Sequence, residues 1–152
     1  MAYSSSDARR ELLDTLADGV DELGYALAAL GAAYEQLDNI SADTLEEGLF
    51  GPVQRAYGRA QRAHAGFAAR HGLEGKAFEP QEAGVPSTGP KGFVESALVA
   101  VTTAAARLAE VQDAPEALEV GDAELRAALA DVRSLIDPVE LRGRDLMRRL
   151  GR

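Results

Sequence analysis

Large apolar residues recur near the start of the chain at Leu13, Leu16, Val20, Leu23, Leu27, Leu30, Tyr34 and Leu37. The steps alternate three and four, the spacing that lays one apolar stripe along a long helix. This pattern predicts helix 1 over 7–38, a rod of roughly 45 Å at ~1.5 Å per residue. Ser6 or Asp7 is placed to cap it. Asp38-Asn39-Ile40-Ser41 then reads as a short turn, which returns helix 2 beside helix 1. Helix 2 is predicted over 42–72, capped by Ser41 or Asp43. Its seam is Val53, Tyr57, Ala60, His64, Phe67 and His71. Pro52 lacks the amide that would bond the Gly48 carbonyl, so a kink is expected near 51–52. Gly72 suits the stop position of this helix, with Leu73 as its following apolar contact.

The periodicity vanishes over 73–91. Pro80, Pro86 and Pro90 with Gly75, Gly84 and Gly89 forbid a regular element there. Fully extended, this stretch reaches about 65 Å, enough to run the length of a bundle. Loops so long are commonly lids or mobile connections. Helix 3 is predicted over 92–113, with Val94, Ala97, Leu98, Val101, Ala105 and Leu108 inward. Residues 115–121 form an irregular turn with Leu118 packing inward. Helix 4 spans 122–150, capped by Asp122, with Leu125, Leu129, Val132 and Ile136 inward. Asp137-Pro138 has the form of a second cap with proline in the first turn, so a kink is expected near 137–138. The expected fold class is all-α: one domain over 1–152, an antiparallel bundle of four main helices with a Pro/Gly-rich crossover loop.

Composition narrows the function classes. Aromatics are 5% of a chain that is 46% hydrophobic, so the core must be Leu, Val and Ala, which suits close-packed helices. The net charge of −9 disfavours nucleic acid and anionic membrane as partners. With no cysteine, thiolate nucleophiles, disulfides and iron–sulfur clusters are excluded. Residues 1–10 are polar and lack a signal-peptide core. The longest nearly uncharged runs, 23–34 and 96–106, are shorter than a bilayer span. A cytoplasmic location without membrane contact is expected.

Candidate chemistry is sparse. His64 and His71 are seven apart, about 10 Å along the helix, too far to chelate one ion unaided. His64 on the apolar seam reads as a core or boundary histidine, and His71 as a complement to the helix C-terminus. Glu11, Asp14, Asp18, Asp21 and Glu22 project away from the seam of helix 1, as a solvated face does. The sharper alternative is a magnesium site of an all-α nucleotide hydrolase, which needs a facing acidic pair that helices 2 and 3 do not supply. Arg55, Arg59, Arg62 and Arg70 fall on the outer face of helix 2, placed to complement the acids of helix 1 or of a partner. Arg142, Arg144, Arg148, Arg149 and Arg152 cluster at the C-terminus. Ser87-Thr88-Gly89-Pro90-Lys91-Gly92 resembles a phosphate loop only superficially, with no strand before it.

One feature stands out. Beyond Glu22 the outer face of helix 1 turns from acidic to apolar: Tyr25, Ala28, Ala29, Ala32 and Ala33. Such a segment is either sandwiched between helices or part of an interface. Gly24 and Gly31, one heptad apart with Ala17 before them, line an edge where a neighbouring backbone could approach. The leading expectation is a non-enzymatic interaction or assembly module, with Tyr25, Ala28, Ala29 and Ala32 at the interface and itself (a homodimer) or another protein as partner. The alternative is a small-molecule-binding bundle with a pocket near Tyr57 and His64, lidded by 73–91. No cofactor or metal is expected.

Overall fold

The computed structural model describes residues 4–84 and 89–150. Among these residues every regular element is helical and no strand occurs, so the chain is all-α. The extreme N-terminal residues, the loop stretch 85–88 and Arg152 lie outside the described residues.

Helix α1 spans Ser5–Tyr34. Its cap is Ser4, not Ser6 or Asp7: Ser4 is extended and its Oγ accepts the Asp7 amide at 3.0 Å. α1 also stops earlier than expected. Asp38 has taken extended backbone angles, and its carboxylate accepts the Ser41 amide at 2.8 Å, capping α2 (Asn39–Leu45). A residue that caps the next helix cannot continue the last one. Tyr34, the final residue of α1, is 37% exposed instead of buried in the seam.

α2 runs through a π-helical turn at Glu46–Phe50 into α3 (Gly51–Arg70) without an intervening loop. A π-turn thus stands next to the position where a kink is expected. Pro52 cannot donate to the Gly48 carbonyl, and the Gly51 amide bonds five residues back, to Glu46. Arg142 supplies a donor that proline lacks, its Nη1 lying 3.3 Å from the Gly48 oxygen. α3 ends as its sequence predicts. Gly72 takes φ +65°, the Leu73 amide bonds Ala68 O at 2.8 Å, and the Gly72 amide bonds Ala69 O at 3.4 Å.

α4 spans Gly89–Asp113 and so begins three residues before the expected start. Gly89 turns the chain at φ +69°, and Pro90 sits in the first turn, where a missing amide costs nothing. α5 (Pro115–Val120) buries Ala117 and Val120, three residues apart on one face. Leu118 lies off that face and is 65% exposed, contrary to the inward packing expected of it. Asp122 caps α6 (Ala123–Ile136), accepting the Leu125 amide at 2.7 Å. Asp137 is helical rather than extended, so α7 (Val139–Leu150) follows as a kinked continuation instead of a newly capped helix.

α1 is the central element, packed on α4 and on α3. α6 lies against α3 and α4, and α7 against α4 and the π-turn. Leu16, Val20, Leu23, Ala26, Ala29 and Leu30 of α1 are wholly buried. Rising numbers in α1 meet falling numbers in α4: Ala8 and Leu12 share a groove with Val111 and Ala114, and Gly19 faces Leu108. α4 is 25 residues long and apolar enough by length and composition to cross a membrane; in this fold it is a packed helix with much of its surface against α1 and α7.

Residues 73–84 are non-helical and lie along the α1/α3 side as a strap. Arg10 donates to the Glu74 carbonyl at 2.8 Å. Lys76 reaches Asp21 at 2.5 Å, and Gln81 Nε2 donates to the Asp21 carbonyl at 2.7 Å. Leu73, Phe78 and Ala83 pack on the core.

Candidate interaction groove

Where the strap leaves α1 and α3 uncovered, a groove of about 470 Å³ opens between them. α1 contributes Gly24, Leu27, Ala28 and Gly31. The π-turn and α3 contribute Phe50, Tyr57 and Gln61, and the strap closes one side with Phe78, Pro80 and Gln81. A Cβ on Gly24 would come 3.1 Å from the Tyr57 ring and 3.1 Å from Gln81 Nε2. Glycine there lets Tyr57 lie close on the α1 backbone. A Cβ on Gly31 would meet nothing within 4 Å among the described residues. The small-residue edge therefore receives a tyrosine ring at one end and is open at the other. Burial, with the Asp21 charge assisting, pushes the Tyr57 phenol above its usual range, so it stays protonated and able to donate.

His64 is not in this groove. It is 2% exposed and sits beneath the strap, its ring edge-on to Phe78 with centroids 5.0 Å apart. A Cβ on Gly75 would lie 3.3 Å from His64 Cε1. Burial holds its pKa below the ordinary histidine value. Lys76 and Arg10 reinforce that, while Asp14 and Asp21 oppose it. The structure thus brings Tyr57 to an opening and places His64 behind the strap wall. The lidding stretch expected over 73–91 is shorter in fact, because residues 89–91 belong to α4.

The expected interface residues divide. Ala29 is fully buried within the chain, whereas Tyr25, Ala28 and Ala32 are half-buried, and Ala28 lines the groove. Sequence reasoning passed over Phe50, Gln61, Phe78, Pro80 and Gln81. Phe50 lies in the π-turn, where the helical phase slips, and the strap has no period to betray which side chains dock.

Several of the other charged groups are engaged in structural pairs. Arg70 binds Asp122 through Nε and Nη2, both at 2.9 Å, and reaches Glu124; its acids come from α6, not from α1 as one expectation had it. His71 Nε2 lies 2.9 Å from Asp122. Burial pushes the Asp122 carboxyl up, but bonds from Arg70, the Leu125 amide and His71 together outweigh it and hold it at about 2. Asp14 and Asp18 are exposed, and Asp21 is tied to Lys76. Among the described residues no three His, Asp or Glu side chains converge as metal ligands. The chain matches no protein-family model, no curated protein and no solved structure.

Proposed function

We propose that this all-α chain is a non-enzymatic assembly module, an antiparallel bundle of four helical columns whose contact face is the α1/α3 groove. The partner it suits is a second copy of itself. Gly31 carries the reading. Glycine inside a helix costs about 1 kcal/mol relative to alanine, and among the described residues nothing occupies the space its side chain would take. A closely approaching helix from outside gives that glycine a use, with Ala28 beside it and half-buried Tyr25 and Ala32 flanking. Sedimentation velocity at micromolar to millimolar concentration tests this. The expected result is a dimer that Gly31→Leu converts to a monomer with unchanged helical circular dichroism. A wild-type chain that stays monomeric throughout that range overturns it.

A second reading, an apolar small molecule in the same groove, is favoured by its volume, which falls within the range of ligand sites of about 300–1,000 Å³. One-to-one binding of an apolar fluorescent dye, abolished by Ala28→Phe in a chain that remains monomeric, supports this reading over the first.

A further inference from the structure

A second groove, of about 560 Å³, lies between the π-turn and α7. Arg55 enters it from α3, and Arg142 and Arg149 enter from α7. These residues are far apart in the sequence, and the packing of α7 against the π-turn brings them to one cavity. Leu49, Pro52 and Leu146 form the apolar floor, each buried.

Three arginines gather in this groove although the chain has a net charge of −9. Outside this groove, five arginines pair with the protein's own acids, Arg70 with Asp122 and Glu124, Arg107 with Glu110, Arg133 with Asp113, Arg144 with Glu140 and Arg148 with Asp145, and the others do not converge on one cavity with so little acid beside them. Among the described residues Arg55 and Arg149 have no such acid. Arg142 bonds only a neutral carbonyl, that of Gly48, and this contact fixes its stem over the π-turn. A Cβ on Gly48 would stand 3.6 Å from Arg142 Cδ, so the two are in contact. Two acids share the rim: Asp145, already held by Arg148, and Glu47. The groove therefore presents three guanidinium groups against one uncommitted carboxylate. A neighbouring groove at Arg59, Arg62 and Arg70 is smaller, about 260 Å³, and sets Glu124 and Asp131 against its cations.

From this convergence we infer that the π-turn/α7 groove binds a phosphate-bearing ligand. Guanidinium groups are planar, permanently charged and matched to phosphate oxygens through paired N–H donors. One arginine held in place by a backbone carbonyl, with two others free to close on a ligand, is a partly preorganised anion site. The packing of α7 against the π-turn builds it, bringing the arginines of α3 and α7 to one cavity. Local distortions of this kind are frequent at functional sites. The site is separate from the α1/α3 groove and independent of the assembly reading.

Titration calorimetry with inorganic pyrophosphate, and flotation with vesicles carrying phosphatidic acid, distinguish a free phosphate ligand from a lipid headgroup. Binding of either probe is expected, weakened at least tenfold in the doubly substituted Arg55→Ala, Arg149→Ala chain. Both positions are exposed, and circular dichroism verifies that the fold survives. Glu47→Gln is expected to tighten binding several-fold by removing the uncommitted carboxylate. Arg59→Ala, outside the groove, is expected to leave it unchanged. Absence of binding to both probes overturns the inference. So does equal weakening by Arg59→Ala, which would mark a diffuse charge effect, or binding confined to an acidic polyglutamate peptide.

Discussion

Asp122 shows how one side chain can hold two elements. It caps α6 through the Leu125 amide, takes both Arg70 nitrogens, and lies against His71 at the end of α3. The carboxylate is needed charged for all three. Its pKa is lowered from 3.8 to about 2, so its stabilisation is complete above 3.8 and disappears as pH falls through 2. Asp122→Ala removes the cap and leaves Arg70 only its pair with Glu124, at a cost of about 2 kcal/mol in urea unfolding at neutral pH. The same substitution flattens the acid limb: between pH 4 and 2 the variant should lose less stability than the parent chain, and equal losses would show that Asp122 is not the group titrating there. The capping role of Asp122 is legible in the sequence, since an aspartate before a periodic apolar run has one ordinary use. Its bonds to Arg70 and His71 are not, because they join residues more than fifty apart.

Within the helices, the glycines separate packing from propensity. In α7, a Cβ on Gly143 would fall 2.5 Å from Leu98 Cδ2 and 2.8 Å from Cδ1. Leu98 is itself buried, with little room to move aside. Gly143→Ala therefore loses about 1–2 kcal/mol, the overpacking outweighing the gain in helix propensity. Gly31→Ala meets nothing among the described residues of its own chain and, at concentrations low enough to keep the chain monomeric, should gain about 0.5–1 kcal/mol. Thermal unfolding of the two variants, one destabilised and the other stabilised, checks both; a shift of the same sign in each would refute the packing account. The α1 seam and the Gly72 stop could be seen beforehand because each depends on neighbours within a turn or two. Asp38 and Pro90 could not be placed so well. Each has two local uses, ending one element or opening the next, and the choice between them is made by the packing of the elements on either side.

At the scale of the whole molecule, the strap decides what the α1/α3 side presents. Its anchors, Lys76 to Asp21 and Arg10 to Glu74, bridge 55 and 64 residues of sequence, beyond anything a periodic pattern records. Its central contact is Phe78, half-buried, edge-on to His64 and beneath the Lys76 ammonium at 5.5 Å. Phe78 also forms a wall of the open groove. The same ring therefore keeps water from His64 and sets the groove's extent. Truncating it, Phe78→Ala, should cost about 1–2 kcal/mol from lost apolar contact. A more specific consequence concerns the histidine. His64 titrates low chiefly because it is buried, so the folded chain favours its neutral form. That contribution to stability is whole above about 6.5 and is lost as pH falls through the folded-state pKa. Without the Phe78 ring, water reaches the imidazole and its pKa climbs back toward the ordinary value. Folded and unfolded states then bind the proton more equally, and the mildly acidic loss of stability shrinks. Ring-proton resonances of His64 followed through a pH titration, with urea unfolding on either side of neutrality, measure both effects. An unchanged titration in Phe78→Ala would mean that the helices alone bury His64, and that the strap merely passes over a core already closed.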